Sequence, residues 1–512
     1  MAFKVMFIYP NLRGMNMLPP AIGLLSAVLK RAGYEVRLFD TTYYKSIEGK
    51  ESDSDGSKAE RLMARPFKMP HEITCKTTNC FEDFRKEVLE FQPDLLALST
   101  TEDMYRLGIK LLEQVKDLKI TTIAGGVFPT FAPDLVLKCP YVDIVCRGEG
   151  EDALLELCHR LEKGLDYDEI ANLSIKRPDG KIKTNPIKLV DMDKNPLIDM
   201  SIFEEARFYR PMGGKVYKMF PVETFRGCPY TCAYCNSPTQ TQLHKDEHGG
   251  NYLRRKSFEG LREELLFYKD TMKAEYLYFW ADTFFSWTSS DFEKFCELYM
   301  EIKLPFWCQT RPETITTERL NKLKEIGCAR ISFGIEHGNE DFRAKHLRRN
   351  VPNQILIERM KLVTESGIPY SVNNIMGFPH ETREVAFDTV LLNKSIDSSD
   401  RNAYPFTPFH GTPLRKECER LGFLKHEDIV ESFVVGGSLL DMPQFPKESV
   451  EGLVKTFNMY VKFPEDRWPE IRQAEKDTPE GRKIYDALKQ EFVSKFFFES
   501  DEDFEQAAVS ND

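Results

Sequence analysis

The sequence predicts an α/β protein in three parts: an N-terminal doubly wound parallel sheet, a partial (β/α)6 TIM-like barrel, and a helical C-terminal region. Short apolar runs alternate with amphipathic stretches over residues 1–163, and the alternation restarts near residue 220. Strands that are apolar on both faces and separated by helices form parallel sheets covered on both sides. The second series has six strand–helix units, which are too few for a closed eight-unit barrel.

The first part, over residues 1–165, alternates strands and helices as a doubly wound domain requires. Strands are predicted at 3–9, 34–39, 94–99, 120–124 and 142–146, and helices at 20–32, 81–91, 104–118 and 151–162. Between residues 45 and 68 the chain turns polar and contains Ser52-Asp-Ser-Asp-Gly56. We expect a flexible surface insertion there.

The remaining boundaries follow from a turn sequence and from the second strand series. Residues 166–200 are predicted to form a hairpin and a linker, because Arg177-Pro-Asp-Gly-Lys181 is a turn sequence. The barrel is predicted over 201–430, and a mostly helical domain over 431–512 ends in an acidic tail expected to be disordered. Barrel strands are predicted at 220–226, 275–281, 305–310, 329–335, 369–375 and 402–407, and helices at 257–269, 289–301, 316–326, 352–366 and 382–394.

The composition excludes several classes of protein. Hydrophobic residues make up 41% and charged residues 29%, which is the balance of a folded globular chain. No run approaches the roughly 18 apolar residues of a membrane span, and residues 1–10 lack a secretory cleavage pattern. We therefore expect a cytoplasmic protein without a membrane span. The net charge of -11 argues against a nucleic-acid partner.

Three cysteines are concentrated in one short segment. Cys228, Cys232 and Cys235 have the spacing C-x3-C-x2-C directly after the first barrel strand. Three thiolates on one loop can bind three irons of a four-iron four-sulfur cluster and leave the fourth iron without a protein ligand. The alternative is a structural zinc site, which needs a fourth ligand, and His244 is the nearby candidate.

Side-chain alternation predicts a polar face inside the barrel. Residues two apart share one face of a strand. On three successive strands this places Asp282, Arg311 and Glu336 on the face opposite the apolar, helix-facing residues. Polar groups at the carboxyl ends of barrel strands are where such folds hold their active sites. The alternative is a buried ion-pair layer that binds no ligand.

The segment Phe225-Arg-Gly-Cys-Pro-Tyr-Thr-Cys-Ala-Tyr-Cys235 resembles the cluster loop of the radical S-adenosylmethionine (SAM) superfamily. The resemblance implies a partial barrel, SAM bound to the fourth iron, and Tyr234 against the adenine. It also implies an electron donor such as flavodoxin or ferredoxin, and cleavage of SAM to a 5'-deoxyadenosyl radical. Gly334-Ile-Glu-His-Gly338 resembles the segment that contacts the SAM ribose or amino group. Gly377-Phe-Pro-His-Glu381 resembles the turn near the adenine.

Candidates for substrate contact lie where this chain departs from that family or extends beyond it. The family often has glycine at the position of His380 and proline at that of His410, so each is a substrate contact or an ordinary surface-loop histidine. The C-terminal segment, with Leu439-Leu-Asp-Met-Pro-Gln-Phe445 and Phe496-Phe-Phe498, is expected either to cover the barrel mouth or to dock the last helix.

Residues at the carboxyl ends of the N-terminal strands are candidates for binding a second cofactor, because ligands of open parallel sheets bind there. They are Pro10, Ser99, Thr100, Gly125, Gly126, Gly148 and Glu149. Paired glycines allow a bulky ligand to approach backbone amides. The chain lacks the G-x-G-x-x-G fingerprint, which argues against NAD or FAD.

Residues 3–160 resemble the cobalamin-binding domain that is joined to many radical SAM enzymes. The resemblance rests on these strand ends, on Pro19-Pro-Ala-Ile-Gly23 and on Ala32-Gly-Tyr-Glu-Val36. It implies cobalamin as a cofactor. The Asp-x-His-x-x-Gly motif that supplies a lower axial histidine is missing, so we expect cobalamin without protein imidazole ligation. The alternative is a domain that keeps the fold and binds no corrinoid.

Together the resemblances imply a cobalamin-dependent radical SAM methyltransferase that acts on an unactivated carbon of a small molecule or natural product. A carbon without a leaving group or acidic proton offers no polar route. Hydrogen abstraction in a water-excluded barrel then supplies the reactive centre, while the protein positions the carbon between its cofactors. Two alternatives stay open: ring closure or oxidation with the same cofactors, and a structural metal-binding protein.

Overall fold

The computed structural model of the chain describes residues 2–48, 50–51, 54–67, 74–398, 400–431 and 437–497. Two mostly parallel sheets are followed by a helical region, as the sequence predicts. Within the described ranges, no helix has both the length and the apolar character that a bilayer crossing requires. The acidic tail beyond residue 500 lies outside the described residues.

The first half of the chain forms a seven-stranded sheet. Its strands, with the short pair β3 and β4, are β1 (Lys4–Tyr9), β2 (Glu35–Asp40), β3 (Ser46–Ile47), β4 (Lys50–Glu51), β5 (Leu95–Ser99), β6 (Thr121–Gly125), β7 (Ile144–Cys146), β8 (Leu173–Lys176) and β9 (Ile182–Thr184). The order is β2-β1-β5-β6-β7-β8-β9, and the first five of these are parallel. The winding direction reverses between β1 and β5, which opens a ligand crevice at their carboxyl ends.

Helices cover both faces of this sheet. They are α1 (Pro20–Arg31), α3 (Cys80–Phe91), α4 (Glu102–Glu113), α5 (Val127–Phe131), α6 (Pro133–Lys138) and α7 (Glu151–Glu162), while α2 (Ser54–Glu60) lies in the polar insertion. Val5 and Phe7 belong to the core on one face, and Met6 and Ile8 to the core on the other. All four are at most 1% exposed, which confirms a doubly wound sheet.

The polar insertion predicted to be flexible is instead partly docked on the C-terminal region. Leu62 is buried, and its carbonyl oxygen accepts a hydrogen bond from Asn458 Nδ2 at 3.0 Å. Tyr485 donates its hydroxyl to the carbonyl oxygen of Glu60. The insertion is therefore not wholly on the surface, because it contains apolar side chains such as Leu62 and backbone carbonyls that bond to distant partners; its flexibility stays a prediction.

The hairpin predicted within 166–200 is present as β8 and β9, yet it is not part of a free linker. Both strands extend the first sheet in antiparallel fashion beyond β7. Asn172 holds the hairpin to the strand ends, because its Nδ2 donates to the carbonyl oxygens of Arg147 and Glu149. The first sheet therefore continues past the boundary predicted near residue 165.

The second half forms another seven-stranded sheet, curled as a partial barrel. The strands, with the short pair β12 and β13, are β10 (Tyr209–Met212), β11 (Lys215–Val222), β12 (Phe225–Arg226), β13 (Arg254–Arg255), β14 (Tyr276–Phe279), β15 (Phe306–Thr310), β16 (Cys328–Glu336), β17 (Tyr370–Met376) and β18 (Asp400–Pro405). The order is β10-β11-β14-β15-β16-β17-β18. Only β10 is antiparallel, so six parallel strands remain, as predicted.

Helices connect these strands. They are α8 (Ser237–His248), α9 (Phe258–Leu266), α10 (Ser289–Ile302), α11 (Thr317–Glu325), α12 (Glu340–Leu347), α13 (Asn353–Ser366), α14 (Arg383–Lys394) and α15 (Pro413–Arg420). Local sequence fixes their starts: Thr288 Oγ1 accepts from Asp291 N at 3.1 Å at the beginning of α10. The helices α8, α12 and α15 are additions to the predicted set.

The alternation predicted for the barrel strands is confirmed. Phe279 faces outward and packs on Phe295 of α10, with ring centroids 5.6 Å apart. On the inner face, Trp307 Nε1 donates to Ser332 Oγ at 2.8 Å, which lies 2.7 Å from Ser371 Oγ. A polar ladder therefore crosses three neighbouring strands inside the barrel.

The C-terminal region is helical, as predicted, and packs on the barrel. Its helices are α16 (Lys447–Lys462), α17 (Trp468–Ala474) and α18 (Pro479–Phe496). Phe496 packs on Phe492 with ring centroids 4.9 Å apart. It also lines a cavity of about 410 Å³ with Asp400, at the amino end of β18 and opposite the barrel mouth. Phe496 therefore docks the last helix, and Phe498 lies outside the described residues.

Candidate active site

The three clustered cysteines lie on a loop after β12, at the carboxyl end of the first parallel barrel strand. Gly227 begins the loop with a φ of +95°, and a side chain there would lie 3.1 Å from the backbone of Leu253. Ala233 fixes the middle of the loop: its N donates to Leu347 O at 3.1 Å, and its O accepts from Leu414 N at 3.0 Å. The loop is anchored while its cysteines stay partly exposed.

The thiol positions fit several irons better than one zinc ion. A tetrahedral zinc site holds its sulfurs about 3.8 Å apart. In the described part of the chain, the one set of three ligand atoms within 4.8 Å of one another does not include these cysteines. His244 forms no such set with the cysteines either, and its ring stacks on Tyr252 with ring centroids 4.3 Å apart. The donor set and spacing therefore suit a four-iron cluster.

Burial disfavours the thiolate form of two of the loop cysteines. It raises the pKa of Cys228 to about 12 and also raises that of Cys235. Ser237 opposes the second shift, since its N donates to Cys235 Sγ at 3.4 Å. Thiolates are the form that binds iron, so ligation must displace these protons.

A buried arginine connects the cysteine loop to the end of β16. Arg349 is 3% exposed, and its Nη1 donates to Tyr234 Oη and to Glu336 Oε1, each at 3.2 Å. Its Nη2 donates to Gly334 O at 2.9 Å. Burial raises the pKa of Glu336, and the charge of Arg349 opposes that shift. Three residues that the sequence assigned to SAM binding therefore share one cationic partner.

A second buried pair shapes the turn after β17. Glu381 is fully buried, and its Oε2 accepts from Gly377 N at 2.5 Å and from Phe378 N at 2.8 Å. Its Oε1 lies 2.7 Å from Nε2 of His337, the residue after Glu336. Gly377 has a φ of +83°, and a side chain there would meet Val450 at 2.8 Å. The carboxylate thereby fixes two backbone amides beside Tyr234, whose ring lies 6.2 Å from that of Phe378.

Asp282 and Arg311 approach the cysteine loop from the second and third barrel strands. Asp282 accepts from Ser237 Oγ at 2.7 Å, and burial raises its pKa. Arg311 Nη1 donates to Cys232 Sγ at 3.7 Å, and its guanidinium lies 3.8 Å from the ring centroid of Tyr230. The predicted inner layer is thus assembled around the loop.

One cavity of about 500 Å³ joins the carboxyl edges of the two sheets. The candidate residues that line it from the first sheet are Ser99, Gly125, Gly126, Gly148 and Glu149. Those that line it from the barrel side include Arg226, Ser237, Gln240, Trp280 and Asp282. No histidine is among the lining residues in the described ranges. A bulky ligand here would touch both halves of the chain next to the cysteine loop.

Pro10 and Thr100 do not line this cavity but lie behind its wall. Thr100 is 4% exposed, and its carbonyl oxygen would lie 2.4 Å from a side chain at position 126. Gly126 also has a φ of +117°, so glycine is required there. The ring of Pro10 packs against the first turns of α4, where a side chain at Gly108 would lie 3.3 Å from it.

Glu149 links the two halves through ion pairs. Its carboxylate pairs with Arg226 at 3.0 Å and with Arg254, and it accepts from Val190 N at 2.7 Å. Burial alone would raise the pKa of Glu149, but the two arginines outweigh it and lower the pKa. Arg226 precedes the cysteine loop and also pairs with Glu151 at 2.7 Å. These partners engage the Glu149 carboxylate, which the sequence had assigned to a cofactor contact.

The two histidines considered for substrate contact have other partners. His380 Nε2 lies 2.7 Å from Glu417 Oε1 on the surface of the barrel. His410 is not a surface residue: it is 4% exposed, and its Nδ1 lies 2.8 Å from Glu102 Oε1 of α4. The surface-loop alternative was wrong for His410, because the loop after β18 is covered by the first domain; its contact with a substrate stays a prediction.

The sequence missed the partners that orient the candidate residues. Arg349 follows Arg348 in the sequence. Neither the charge of the two residues nor the periodicity of the segment predicts that Arg349 is buried and Arg348 exposed. The pairing of His337 with Glu381 could have been predicted from the sequence. Both residues belong to the segments that resemble SAM-contacting motifs, and Glu381 follows Gly377, the residue after β17, by four positions. An acid so placed can accept from the amides of the turn.

Two family models match this chain. The radical SAM superfamily model matches residues 222–391, and the B12 binding domain model matches residues 70–158. Together they cover about half of the chain. The first match contains the cysteine loop and four of the six parallel barrel strands, β14 to β17. The second contains the strand ends that border the cavity.

Several known proteins are similar over most of the chain. An uncharacterized methyltransferase of Pyrococcus horikoshii is 27% identical over 65% of this chain and 71% of its own length. The cytidylyl-2-hydroxyethylphosphonate methyltransferase of Streptomyces wedmorensis is 22% identical over 88% and 87%. The structure of OxsB with aqua-cobalamin shares the fold, with a TM-score of 0.63 at 17% identity over 96% of this chain and 71% of that one.

Proposed function

Because the chain belongs to the radical SAM enzymes that carry a B12-binding domain, we propose that it transfers a methyl group to an unactivated carbon of a small molecule. The cofactors are a four-iron four-sulfur cluster, SAM and cobalamin. The similar methyltransferases of Pyrococcus horikoshii and Streptomyces wedmorensis support the transfer of a methyl group.

One observation carries this proposal: a single cavity touches both the glycine-rich strand ends of the first sheet and the cysteine-loop side of the barrel. When bound, the cofactors supply a carbon radical and a transferable methyl group. The protein must then hold two cofactors and one substrate close together and keep water out. A cavity between two sheets, with the apolar Phe225 and Trp280 in its wall, is suited to that task.

The residues divide between the two cofactor positions. Cys228, Cys232 and Cys235 hold the cluster, and Arg311 donates a hydrogen bond to the sulfur of Cys232. Tyr234, Glu336 and Gly377 border SAM; they are supported by their shared contacts through Arg349 and Glu381. Ser99, Gly125, Gly126 and Gly148 form the corrinoid wall, with Asp282 facing them across the cavity. Pro10 and Thr100 support that wall from behind, and Glu149 fixes its edge to the barrel.

The cellular setting follows from the chemistry of the cluster. An electron donor such as flavodoxin or ferredoxin supplies the reducing electron. All twelve cysteines are unpaired, which is typical of a reducing compartment such as the cytoplasm. The net charge of -11 disfavours a nucleic-acid substrate.

Ring closure is the second candidate. The anaerobic magnesium-protoporphyrin IX monomethyl ester cyclase of Rubrivivax gelatinosus is 25% identical over 67% of this chain and 62% of its own length. Methyl transfer is favoured because the similarity to the Streptomyces wedmorensis methyltransferase extends over more of both chains. The mass of the product distinguishes the two.

The test combines anaerobic reconstitution with mass spectrometry. Metabolites are compared from cells with and without the protein, and the product is expected to gain one methylene unit. Purified protein given iron, sulfide, SAM and a strong reductant should release 5'-deoxyadenosine. Cys232→Ala should abolish that release, whereas Cys75→Ala, a partly exposed cysteine outside the loop, should not. Release by the Cys232 variant would overturn the proposal, and a product without added carbon would favour ring closure.

A further inference from the structure

A second cluster of ligand-type side chains lies where the first domain meets the barrel, outside the cavity described above. His410, Glu419 and His426 each offer one ligand atom, and these three atoms lie within 4.8 Å of one another. His410 is buried, Glu419 is half-buried and His426 is exposed. We propose that these three residues bind a divalent metal ion of the zinc class, and that the ion fastens the first domain to the barrel.

Both histidines have the surroundings of metal ligands. A ligating histidine usually donates its second ring N–H to a carboxylate, which fixes the ring orientation. His410 Nδ1 lies 2.8 Å from Glu102 Oε1, and His426 Nε2 lies 3.0 Å from Asp134 Oδ2. The remaining nitrogens, His410 Nε2 and His426 Nδ1, are therefore the ones that would bind the ion. His426 Nδ1 already lies 4.0 Å from Glu419 Oε1, the third ligand.

The nitrogen of His410 that would bind the ion already has a hydrogen-bond partner. His410 Nε2 lies 2.8 Å from the carbonyl oxygen of His426. A metal ion would replace this contact, while Nδ1 keeps its contact with Glu102. Tetrahedral ligands lie about 3.4 Å apart. Closing the site thus takes a shift of the segment around His426, whose side chain is exposed.

The charges around the cluster favour a divalent cation. Glu102, Asp134 and Glu419 contribute three carboxylates, and Arg415 is the cation among them, with its Nε 2.8 Å from Glu419 Oε1. Two imidazoles and one carboxylate are a donor set typical of zinc and cobalt(II), with a fourth position for water. The proposal uses none of the residues assigned to methyl transfer, so it can fail or succeed independently of that function.

The ion would stabilise the contact between the two domains, because its ligands come from one domain and the carboxylates that orient those ligands come from the other. All three ligands belong to the segment from the end of β18 through α15 and beyond it. The supporting carboxylates, Glu102 and Asp134, belong to α4 and α6 of the first domain. Metal binding would therefore strengthen the contact that sets the distance between the two sheets.

The first test counts zinc in the cluster-loaded, full-length protein. The protein is treated with a chelator, incubated with Zn²⁺, passed through gel filtration and assayed for zinc by mass spectrometry. We expect one zinc per chain, lost in His426→Ala and Glu419→Gln. Asp134→Asn should weaken zinc affinity by roughly 10–100-fold, because it removes a support and not a ligand. His159→Ala, an exposed histidine on α7, is the matched control and should keep its zinc.

The second test identifies the donor atoms with Co²⁺ as the probe. In the full-length chain with all three loop cysteines changed to Ala, Co²⁺ should give visible bands without thiolate charge transfer, and His426→Ala in the same background should lose them. The melting temperature should rise with Zn²⁺ in the wild-type protein and stay unchanged in His426→Ala. Absence of retained zinc, or equal retention by His426→Ala with unchanged circular dichroism, would overturn the proposal.

Discussion

Arg349 shows how one buried side chain can organise several candidate SAM contacts. Its guanidinium donates to Tyr234, Glu336 and the carbonyl oxygen of Gly334. A planar guanidinium is suited to this role because its donors have fixed directions. Removing it would leave the Glu336 carboxylate buried without a cation, which is costly in an interior of low polarity.

We expect Arg349→Met to lower the free energy of unfolding by about 3 kcal/mol, the usual cost of breaking a buried pair. SAM affinity should fall at least tenfold while the iron content is unchanged, because the cysteines are not altered. Equilibrium binding of SAM, iron analysis and urea unfolding measure the three effects. The neighbouring, exposed Arg348→Met is the control. Equal effects of the two substitutions would contradict the assignment.

At the scale of an element, the turn after β17 depends on a carboxylate rather than on its own backbone alone. Glu381 accepts from the amides of Gly377 and Phe378 and is held by His337 from the preceding strand end. Hydrogen bonds to a carboxylate are stronger than those to a neutral amide. The turn and the end of β16 are thereby fixed as one unit next to Tyr234.

Glu381→Gln should loosen this turn without unfolding the barrel. The amide retains one acceptor oxygen, so we expect a loss of about 1.5–3 kcal/mol in the free energy of unfolding. The dissociation constant for SAM should rise several-fold, while the rate of the chemical step at saturating SAM changes little. Glu365→Gln on the exposed face of α13 is the control. An unchanged SAM affinity in the Glu381 variant would refute this role for the turn.

At the scale of the whole molecule, buried charges hold the two sheets together at the edge of the shared cavity. Arg226 pairs with Glu149 of the first domain and with Glu223 of the barrel, at 3.0 and 3.1 Å. It lies two residues before Cys228, so the domain contact and the cysteine loop are mechanically coupled. Removing Arg226 takes the paired cation from Glu151 and Glu223 and leaves Glu149 with Arg254 alone, which is costly for buried carboxylates.

Arg226→Met should reduce the free energy of unfolding by about 3–5 kcal/mol at pH 7. The pKa of Glu149 is lowered in the folded protein from its ordinary 4.5. The ion pairs of Glu149 therefore add their full stabilisation to the free energy of unfolding above pH 4.5, and this stabilisation is lost as the pH falls through the lowered pKa. The free energies of unfolding of Arg226→Met and of the wild-type protein should therefore differ less in acid than at pH 7. Urea unfolding followed by tryptophan fluorescence at pH 7 and pH 4 measures it.

The matched control is Arg262→Met, which breaks a pair with Glu301 whose side chains are both about half exposed. Exposed pairs contribute at most about 1 kcal/mol, so this variant should remain close to the wild-type protein at both pH values. If Arg226→Met lowers the free energy of unfolding by the same amount at pH 7 and at pH 4, the ionised Glu149 carboxylate does not stabilise the domain contact as proposed.

The sequence by itself determined the order of strands and helices, the inward and outward faces of the barrel, and the loop of three cysteines. These features are local: periodicity of 2.0 or 3.6 residues and the spacing of a short motif are legible without knowing distant neighbours. The tail beyond residue 500 and the assignment of individual site residues stay predictions.

Only the tertiary structure decided which side chains meet. It brought Arg349 to Tyr234, covered His410 with Glu102 of the first domain, docked the insertion around Leu62 on the C-terminal helices, and made one cavity from two sheets. Each of these contacts joins residues that are far apart along the chain. Their pairing depends on how whole elements pack, and no local pattern encodes it.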